Sequence, residues 1–326
     1  MTKLLIITQK VDSSDPILGF FHRWLEEFAK NVEKLTVICL EKGEYNLPEN
    51  VKVLSLGKEN LNLGSNPSSR SLGFDPRKTR KLKYLFNFYR HIWRERKNYD
   101  VVFVHMNPEY VILGWADWKI LGKKIALWYV HKSVDFKLRL AEKLADKIFT
   151  ASKESFRLPS KKVEIVGHGI DINKFSILNF QFSNKLRIIT AGRIAPVKNL
   201  EMLIKLKLLV KQKGLENTVS FVGPISYPQI ADFYHEGDIF VNLSETGSLD
   251  KAVLEAMACG LSVITSNEAF KNILPPRYFL DQKTPEALAE KLQKLLGENR
   301  PNLELRDIVV QNHGLDKLIK KIVSAL

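Results

Sequence analysis

One loop and the helix that follows it carry the residues best suited to chemistry in this chain. The stretch 241–266, VNLSETGSLDKAVLEAMACGLSVITS, has the pattern of an apolar strand, a glycine-containing loop, a helix that Gly260 ends, and a second strand. Free backbone amides in the loop and at the helix start can bind an anion. Glu255 follows about one turn inside the helix, where its carboxylate can accept two hydrogen bonds from a ribose diol. The residues predicted to bind a phosphorylated ligand are Gly247, Ser248, Leu249, Asp250, Lys251 and Glu255.

Glu255 also has a purely structural interpretation. It lies four residues after Lys251, so the two side chains can form an ion pair on a solvent-facing side of the helix. Such a pair contributes about 0.3 kcal/mol. The spacing alone favours this interpretation, because a lone glycine-containing loop is a weak indication of binding. A second segment is needed to decide between the two.

That second segment is AGRIAPVKN at 191–199, which places Gly192 at a turn after a predicted strand and Arg193 and Lys198 before a predicted helix. Arginine can bind a diphosphate through two hydrogen bonds, and lysine adds a point charge. Taken alone, the two cations fit solvated loop charges as well. Their position in the chain ahead of Glu255 favours one common anion site.

Two histidines follow predicted strands in the first half of the chain. His105 ends the strand 101–105, and His131 follows the strand 124–130. Ligands of doubly wound sheets bind beyond the carboxyl ends of the strands. One histidine at such a place is more often a packed, hydrogen-bonded residue, whereas two on separate strands favour a site. Both histidines are therefore candidate site residues.

The elements that would position these residues alternate between strands and helices. Strands are predicted at 4–8, 35–40, 51–56, 101–105, 124–130 and 147–151, then at 186–191, 218–222, 238–243 and 262–265. Helices are predicted at 20–31, 76–97, 110–121 and 136–144, then at 199–212, 227–236, 251–259, 284–296 and 315–326. Regular alternation implies βαβ units and parallel sheets, so the predicted class is α/β.

A polar, irregular segment at 174–185 separates two runs of elements and predicts two doubly wound domains. The chain of 326 residues is long enough for both. We expect an N-terminal domain over 1–175 and a second domain over 176–310. The remaining segment, 311–326, is predicted as a C-terminal helix and is a candidate for packing back on the first domain.

The helix around Glu255 carries LEAMACG at 254–260, and SVIT follows at 262–265. These residues resemble the nucleotide-sugar signature of retaining glycosyltransferases with the GT-B fold, in particular family four. The family pattern is Glu, seven residues, Glu, then Ala-Met-Ala-x-Gly, and the resemblance implies that Glu255 binds the ribose of the donor. The first Glu, which in the family touches the donor sugar, falls on Gly247. Glu245 and Asp250 are candidate replacements, and the backbone alone is the third alternative.

Four further segments are similar to the same family. Arg193 and Lys198 resemble its Gly-Arg-x-x-x-x-Lys segment, which implies that they stabilise the leaving nucleoside diphosphate. Its interdomain segment is similar to VGHGIDINKF at 166–175, for which we expect a structural role. In the N-terminal half, His131 resembles a histidine that contacts the transferred sugar near its reacting carbon. Gly19 resembles a glycine loop that approaches the donor phosphates and the acceptor.

The resemblance implies two Rossmann-like, doubly wound domains that face each other across a cleft. It implies a retaining enzyme that uses a nucleoside-diphosphate sugar as the donor. Beyond the resemblance, we expect a hexose-type sugar, a lipid-linked or envelope glycan as the acceptor, and His105 on the acceptor side. The acceptor attacks the face that the diphosphate leaves, and a donor phosphate oxygen takes its proton. We expect no metal and no cofactor, because no Asp-x-Asp element is available to bridge a metal and a diphosphate. A sugar-nucleotide epimerase or a glycogen-phosphorylase-like enzyme on the same fold is the alternative.

The chain is strongly basic, with a formal net charge of +14. Nine lysines and arginines lie in 77–97 against one acidic residue, Glu95. Six apolar residues have the spacing of one stripe on the same helix: Leu82, Leu85, Phe86, Tyr89, Ile92 and Trp93. A crossover helix that packs this stripe on the sheet and leaves its charges in the solvent is one interpretation. The excess of one sign favours the other, a face that docks on an anionic membrane surface near a lipid-linked acceptor.

Nucleic-acid binding is the third class of function that such a charge suggests. It is not expected here, because neither a basic–aromatic platform nor a known binding motif is present. No apolar run approaches the ~20 residues that span a membrane. The cysteines, Cys39 and Cys259, are too few for a disulfide framework. We expect a cytoplasmic protein that is peripheral on the inner face of the membrane.

Overall fold

The chain divides into two structural units. This computed structural model describes residues 2–59, 76–177, 186–192, 211, 212, 214, 217–298 and 300–326, and their side chains except those of 76–79. The first unit comprises Met1–Gly169 together with Leu315–Leu326, and the second comprises Ile170–Gly314. The first unit therefore ends ahead of the predicted boundary at residue 175, and it contains the C-terminal helix.

Seven parallel strands form the sheet of the first unit. They are β1 (Lys3–Val11), β2 (Lys34–Lys42), β3 (Val51–Ser55), β4 (Val101–His105), β5 (Lys124–Trp128), β6 (Lys147–Thr150) and β7 (Val163–Ile165). Their order in the sheet is β3-β2-β1-β4-β5-β6-β7. The strands are rich in Val, Ile and Leu, and β4 is buried along its whole length. Apolar runs of this kind suit parallel sheets, whose strands are covered on both faces. The predicted α/β class is confirmed.

The sheet has a topological switch point between β1 and β4. Strand β1 pairs with β2 as far as Val11 but with β4 only as far as Ile7. The two central strands therefore part at their carboxyl ends. In doubly wound sheets, ligands bind in the crevice that opens at such a point.

Three parallel strands form the sheet of the second unit among its described residues. They are β8 (Ile188–Ile189), β9 (Ile239–Asn242) and β10 (Ser262–Thr265), in the order β10-β9-β8. Strand β8 is shorter than the predicted 186–191, because it lies at one edge of this sheet, where Leu186 is 38% and Ile188 is 47% exposed. The predicted strand at 218–222 is wrong. Its residues form no strand, and Val222 is 65% exposed and enters no core.

Helices alternate with the strands. The described helices are α1 (Gly19–Asn31), α2 (Pro76–Arg94), α3 (Pro108–Ile120), α4 (Phe136–Leu144), α5 (Ile230–His235), α6 (Lys251–Ala258), α7 (Pro285–Leu295), α8 (Leu303–Asn312) and α9 (Leu315–Ala325). Within the first unit, α9 packs against α1 and buries Leu315, Leu318 and Ile322. The predicted helix at 199–212 lies outside the described residues except for 211 and 212. In the part of the chain that the structure describes, no helix is long and apolar enough to cross a membrane.

Two elements were not predicted from the sequence. Strand β7 is only three residues long, which is too short for its apolar pattern to stand out. Helix α8 begins at Asn302, whose side chain accepts a hydrogen bond from the backbone N–H of Leu305 at 3.1 Å. An asparagine at the N-cap is a recognisable start signal that the apolar periodicity of the helix does not contain.

Helix α2 does not bury the predicted stripe as one face. Phe88 and Ile92 lie in the core, whereas Leu82 and Phe86 are each 66% exposed and Trp93 is 41% exposed. Burial follows the spacing of Phe88, Ile92 and the buried Glu95 instead. The prediction that Leu82, Phe86 and Trp93 share a buried face with Ile92 is wrong. They present apolar surface to the solvent.

Candidate functional site

Helix α6 is fixed in the second unit by a well-formed end. Gly260 has a φ of +81°, its N–H donates to the carbonyl of Met257 at 3.0 Å, and the N–H of Leu261 donates to the carbonyl of Ala256 at 3.1 Å. This pair of bonds is the Schellman arrangement, in which glycine takes the left-handed position. The helix buries most of its surface, including Val253 and Leu254. The predicted helix end at Gly260 thus has a physical cause, and it sets the position of every side chain on α6.

Glu255 is buried and paired on α6. It is 6% exposed, the hydroxyl of Tyr234 donates to its Oε2 at 3.1 Å, and the Nζ of Lys251 lies 3.8 Å from its Oε1. Burial raises the pKa of Glu255, and both Lys251 and Tyr234 act in the opposite direction. The ion pair with Lys251 therefore exists, but it does not face the solvent. An exposed surface pair is not the right description of Glu255.

Two lysines and a tyrosine ring complete this cluster. The Nζ of Lys174 lies 3.5 Å and that of Lys251 lies 5.6 Å from the ring centroid of Tyr227, distances at which a cation is attracted by the ring. The ammonium of Lys174 also donates to the carbonyl of Tyr227 at 2.5 Å. Burial lowers the pKa of Lys174, and burial together with Lys174 lowers that of Lys251 to about 8, against the effect of Glu255. The cluster is a partly desolvated place where two ammonium groups lie close to the Glu255 carboxylate, and Asp171 is near enough to raise the pKa of both lysines.

The loop ahead of α6 is organised by Asn267, which follows β10 and is 1% exposed. Its side-chain amide donates to the carbonyl of Ser248 at 2.8 Å, to Oγ1 of Thr246 at 3.2 Å and to a carboxylate oxygen of Asp250 at 3.3 Å. Leu249 is buried in the same loop at 3% exposure. One side chain therefore holds the loop that the sequence predicts to bind an anion.

Gly247 has the backbone conformation that glycine favours. Its φ is +62°, in the left-handed region, where a residue with a side chain costs roughly 1–2 kcal/mol. A Glu at this position would have to accept that cost. Of its two candidate replacements, Glu245 is 72% exposed and pairs with Lys283 at 2.8 Å, whereas Asp250 lies in the loop at the N-cap of α6. Of these two loop carboxylates, Asp250 is the one that lies next to the helix start.

Two of the predicted site residues, Arg193 and Lys198, lie outside the described residues, and their predicted role stays a prediction. Gly192, just before them, is described and exposed after β8. No group of three or more His, Cys, Asp or Glu side chains that could hold a metal ion occurs in the described ranges.

The two histidines of the first unit have different surroundings. His131 is exposed after β5, and its Nδ1 accepts a hydrogen bond from the backbone N–H of Ser133 at 3.1 Å. His105 is 3% exposed, lies 3.2 Å from Oγ1 of Thr8, and stacks on Phe21 with ring centroids 4.0 Å apart. His131 is therefore accessible to a ligand, and His105 is packed into the core beside α1. Gly19, the first residue of α1, is also buried.

Sequence reasoning missed several residues around Glu255 and around the loop ahead of α6. Tyr234, Tyr227, Lys174 and Asn267 surround Glu255 and its loop, and their separation along the chain gives no local pattern. Asn267 was the one that a rule could have found, because it is a polar residue two positions after a buried strand, at the carboxyl end where ligands of such sheets bind.

The second unit matches a known family model. Residues 172–298 match the model described as glycosyl transferases group 1, a range that contains Lys174, Glu255 and Asn267. No curated protein sequence matches the chain significantly.

Solved structures extend the similarity to the whole chain. A glycosyltransferase from Rickettsia africae has a TM-score of 0.70 at 14% identity and covers 99% of this chain and 97% of that one. Anabaena HepE in complex with UDP-glucose has a TM-score of 0.69 at 14% identity, with 100% of each chain covered. The lipopolysaccharide outer core galactosyltransferase WaaB, in its apo form, has a TM-score of 0.67 at 14% identity, with 99% of each chain covered. At this identity the similarity establishes the fold.

Proposed function

We propose that this chain is a retaining group 1 glycosyltransferase acting on a lipid-linked or envelope glycan, because residues 172–298 match that family model and the whole chain has the GT-B fold. In this proposal it transfers a sugar from a nucleotide-sugar donor. The proposal adds that the sugar is of the hexose type and that its anomeric configuration is kept.

The buried carboxylate of Glu255 is the observation that carries the proposal. A carboxylate at 6% exposure is costly to bury, and hydroxyl donors such as Tyr234 offset that cost. The two hydroxyls of a ribose are donors of the same kind, and α6 presents Glu255 next to the loop amides of 247–250. Glu255 is therefore our candidate for the ribose, and Asp250, Lys251 and the loop backbone are candidates for the rest of the donor.

The reaction requires stabilisation of the leaving group. When the bond between the anomeric carbon and the diphosphate oxygen breaks, positive charge develops on the sugar and negative charge on the diphosphate. Preorganised donors lower the energy of that negative charge. Arg193, Lys198 and the amides at the start of α6 are the proposed donors, and His131 is the proposed contact of the transferred sugar. The acceptor oxygen then bonds to the anomeric carbon on the face the diphosphate leaves, and its proton passes to a donor phosphate oxygen.

Donor binding is tested by thermal shift with UDP-, GDP- and ADP-sugars. We expect one class of donor to raise the Tm of the wild-type protein, and we expect Glu255→Gln to lose that rise. Glu290→Gln is the matched control, because Glu290 also pairs with a lysine at i,i+4 spacing on a helix of the same unit but is 66% exposed. No shift in the wild type, or an equal shift in Glu255→Gln, would contradict the proposal.

The exposed face of α2 supports a membrane-bound acceptor. Leu82 and Phe86 protrude among the exposed cations Arg80, Lys81 and Lys83. Exposed apolar groups among basic ones are typical of helices that lie on anionic lipid surfaces, where each basic residue contributes about 1 kcal/mol. The positive charge favours a surface of anionic lipid for docking.

Vesicle flotation tests this part of the proposal separately. The wild type is expected to float with vesicles that contain phosphatidylglycerol and not with phosphatidylcholine alone. The triple variant R80Q/K81Q/K83Q is expected to stay in the soluble fraction. The control K317Q/K320Q/K321Q removes three exposed lysines from α9 and is expected to float like the wild type. Equal flotation of both triple variants would refute the role of α2 and leave donor binding untouched.

A further inference from the structure

Two neutral amide side chains meet where β1 and β4 part in the first unit. The Nε2 of Gln9 donates to Oδ1 of Asn107 at 2.7 Å, and the Nδ2 of Asn107 donates to the carbonyl of His105 at 2.9 Å. Both side chains are half-buried. Because Asn107 is held from both ends of its amide, the pair has a fixed orientation. Gln9 still carries a carbonyl oxygen and a second amide hydrogen that can reach a ligand.

A strained turn sets the position of Asn107. Met106, between His105 and Asn107, has a φ of +67°, which costs a residue with a side chain roughly 1–2 kcal/mol. Strand β5 and the residues after it hold this turn: the N–H of Met106 donates to the carbonyl of Trp128 at 2.8 Å, and the N–H of Val130 lies 3.2 Å from the sulfur of Met106. Conformations of this kind persist where the surrounding structure enforces them, and they cluster at ligand sites.

The charges at the same edge of the sheet disfavour a phosphate ligand. Lys10, next to Gln9, lies 3.2 Å from Asp12, 3.0 Å from Asp15 and 3.2 Å from Glu41. Lys58 lies 2.8 Å from Glu41. In this described network three carboxylates face two ammonium groups, so Lys10 brings no surplus positive charge to the edge. A neutral, hydroxyl-rich ligand fits these surroundings and a phosphate does not.

We propose that Gln9 and Asn107 bind hydroxyl groups of the acceptor sugar at this switch point. The inference rests on the proposed function, since it assigns the second substrate of the transfer. Primary amides offer a donor and an acceptor side by side, which matches neighbouring sugar hydroxyls. The exposed His131 follows β5 at the same edge of the sheet, so one edge of the first unit collects three polar groups suited to a sugar. Gln9 and Asn107 then determine which sugar is accepted.

Binding of simple acceptors tests this inference. The probes are octyl glycosides of glucose, galactose, mannose and N-acetylglucosamine, measured by saturation-transfer NMR on the full chain. We expect the wild type to transfer saturation to the ring protons of at least one glycoside and Gln9→Met to bind it about fivefold more weakly, the effect of one lost hydrogen bond. Asn50→Leu is the control, because its amide also donates to a backbone carbonyl at 2.9 Å, beside the amino end of β3.

A second variant and the donor measurement separate the outcomes. Asn107→Leu is expected to weaken the glycoside as well, and Gln9→Met remains informative if loss of the bond to His105 prevents Asn107→Leu from folding. The Tm shift by the nucleotide sugar is expected to be unchanged in Gln9→Met. Any of three results would overturn the inference. The first is glycoside binding by Gln9→Met equal to that of the wild type, and the second is loss of its nucleotide Tm shift in place of the glycoside signal. The third is no glycoside binding by the wild type. No nucleotide shift in the wild type would overturn the proposed function instead.

Discussion

The second unit concentrates charge around Glu255, whereas the first unit places a neutral amide pair at its switch point. In the second unit, the ammonium groups of Lys174 and Lys251 both lie near the ring of Tyr227. Lys251 also forms a buried ion pair with Glu255. In the first unit, Gln9 and Asn107 bond to each other and to the backbone. Two sheets of the same parallel type thus carry surroundings suited to different ligands. We propose a charged nucleotide as the ligand of the second and an uncharged sugar as the ligand of the first.

The two places also differ in the charge of their polar groups. The amide of Asn107 is neutral and has both a donor and an acceptor partner, so little free energy is lost by keeping it half-buried. Lys251 is a cation that is 19% exposed, and its Nζ lies 3.8 Å from the Glu255 carboxylate and 5.6 Å from the ring centroid of Tyr227. A cation at such a place attracts a phosphate of the donor.

Gly260→Ala is expected to have the largest effect, because it disturbs the helix that carries the charged cluster. A Cβ at Gly260 would lie 2.5 Å from the side chain of Pro301, and its φ of +81° penalises any side chain. The two costs together are about 3 kcal/mol. In the first unit, Gly122→Ala has a similar φ of +67° with nothing within 4 Å, so about 1 kcal/mol is expected. Urea unfolding of both variants measures the difference, and equal losses would contradict it.

Lys251→Met is expected to weaken binding of a nucleoside diphosphate about tenfold, the loss of one charge-assisted hydrogen bond. Binding of the matching nucleoside is expected to stay the same, since it lacks the phosphates. Isothermal titration of UDP, GDP, ADP and their nucleosides measures both. Lys294→Met is the control, because Lys294 pairs with Glu290 at the same spacing and is 70% exposed. Equal weakening of nucleoside and diphosphate would mean that Lys251 only supports the fold.

The affinity for the diphosphate is expected to fall as the pH rises through about 8. Burial brings the pKa of Lys251 to about 8 from an ordinary 10.5, with Glu255 and Asp171 raising it, Lys174 lowering it, and the ring of Tyr227 alongside. The ammonium is charged below that pH and neutral above it. The free energy of unfolding of the free protein is expected to rise as the pH rises from about 8 to 10.5. In this range the folded lysine loses its proton, which relieves the cost of burying its charge, whereas the unfolded lysine keeps its proton. Titrations across this range in the wild type and in Lys251→Met measure the effect, and parallel curves would contradict it.

Salt is expected to have the smallest effect and to distinguish the two units. Raising the ionic strength from about 0.05 to about 0.5 M screens exposed charges, so nucleotide binding is expected to weaken a few-fold. Glycoside binding at Gln9 and Asn107 is expected to stay constant, because both groups are neutral. The same titrations in both buffers provide the measurement. A glycoside affinity that followed the salt concentration would remove the contrast between the units.

Local patterns in the sequence predicted six of the seven strands of the first unit, and α6 with its glycine end, because the periodicity and the turn signals of these elements are local. Strand 218–222 was predicted wrongly because an apolar run does not reveal whether neighbours will cover it. Helix α2 shows the same limit, since the choice of Phe88 over Phe86 for the core depends on what packs against the helix.

Part of each candidate site could be found from the sequence, and part could not. Glu255 lies in a local motif, and a glycine at 247 indicates a left-handed backbone conformation that other residues rarely adopt. Tyr227, Tyr234 and Lys174 come together only through the tertiary fold of the second unit, and the contact between Gln9 and Asn107 joins residues 98 positions apart. Switch-point rules indicate where to look for such pairs but not which side chains meet.

A crystal structure with a bound nucleoside diphosphate tests the central claim most directly. The nucleotide would be the one among UDP, GDP and ADP that gives the largest thermal shift. We predict that its ribose hydroxyls lie within hydrogen-bond distance of the Glu255 carboxylate and that a phosphate oxygen contacts the ammonium of Lys251. A nucleotide bound elsewhere, with Glu255 still held only by Tyr234 and Lys251, would contradict the account.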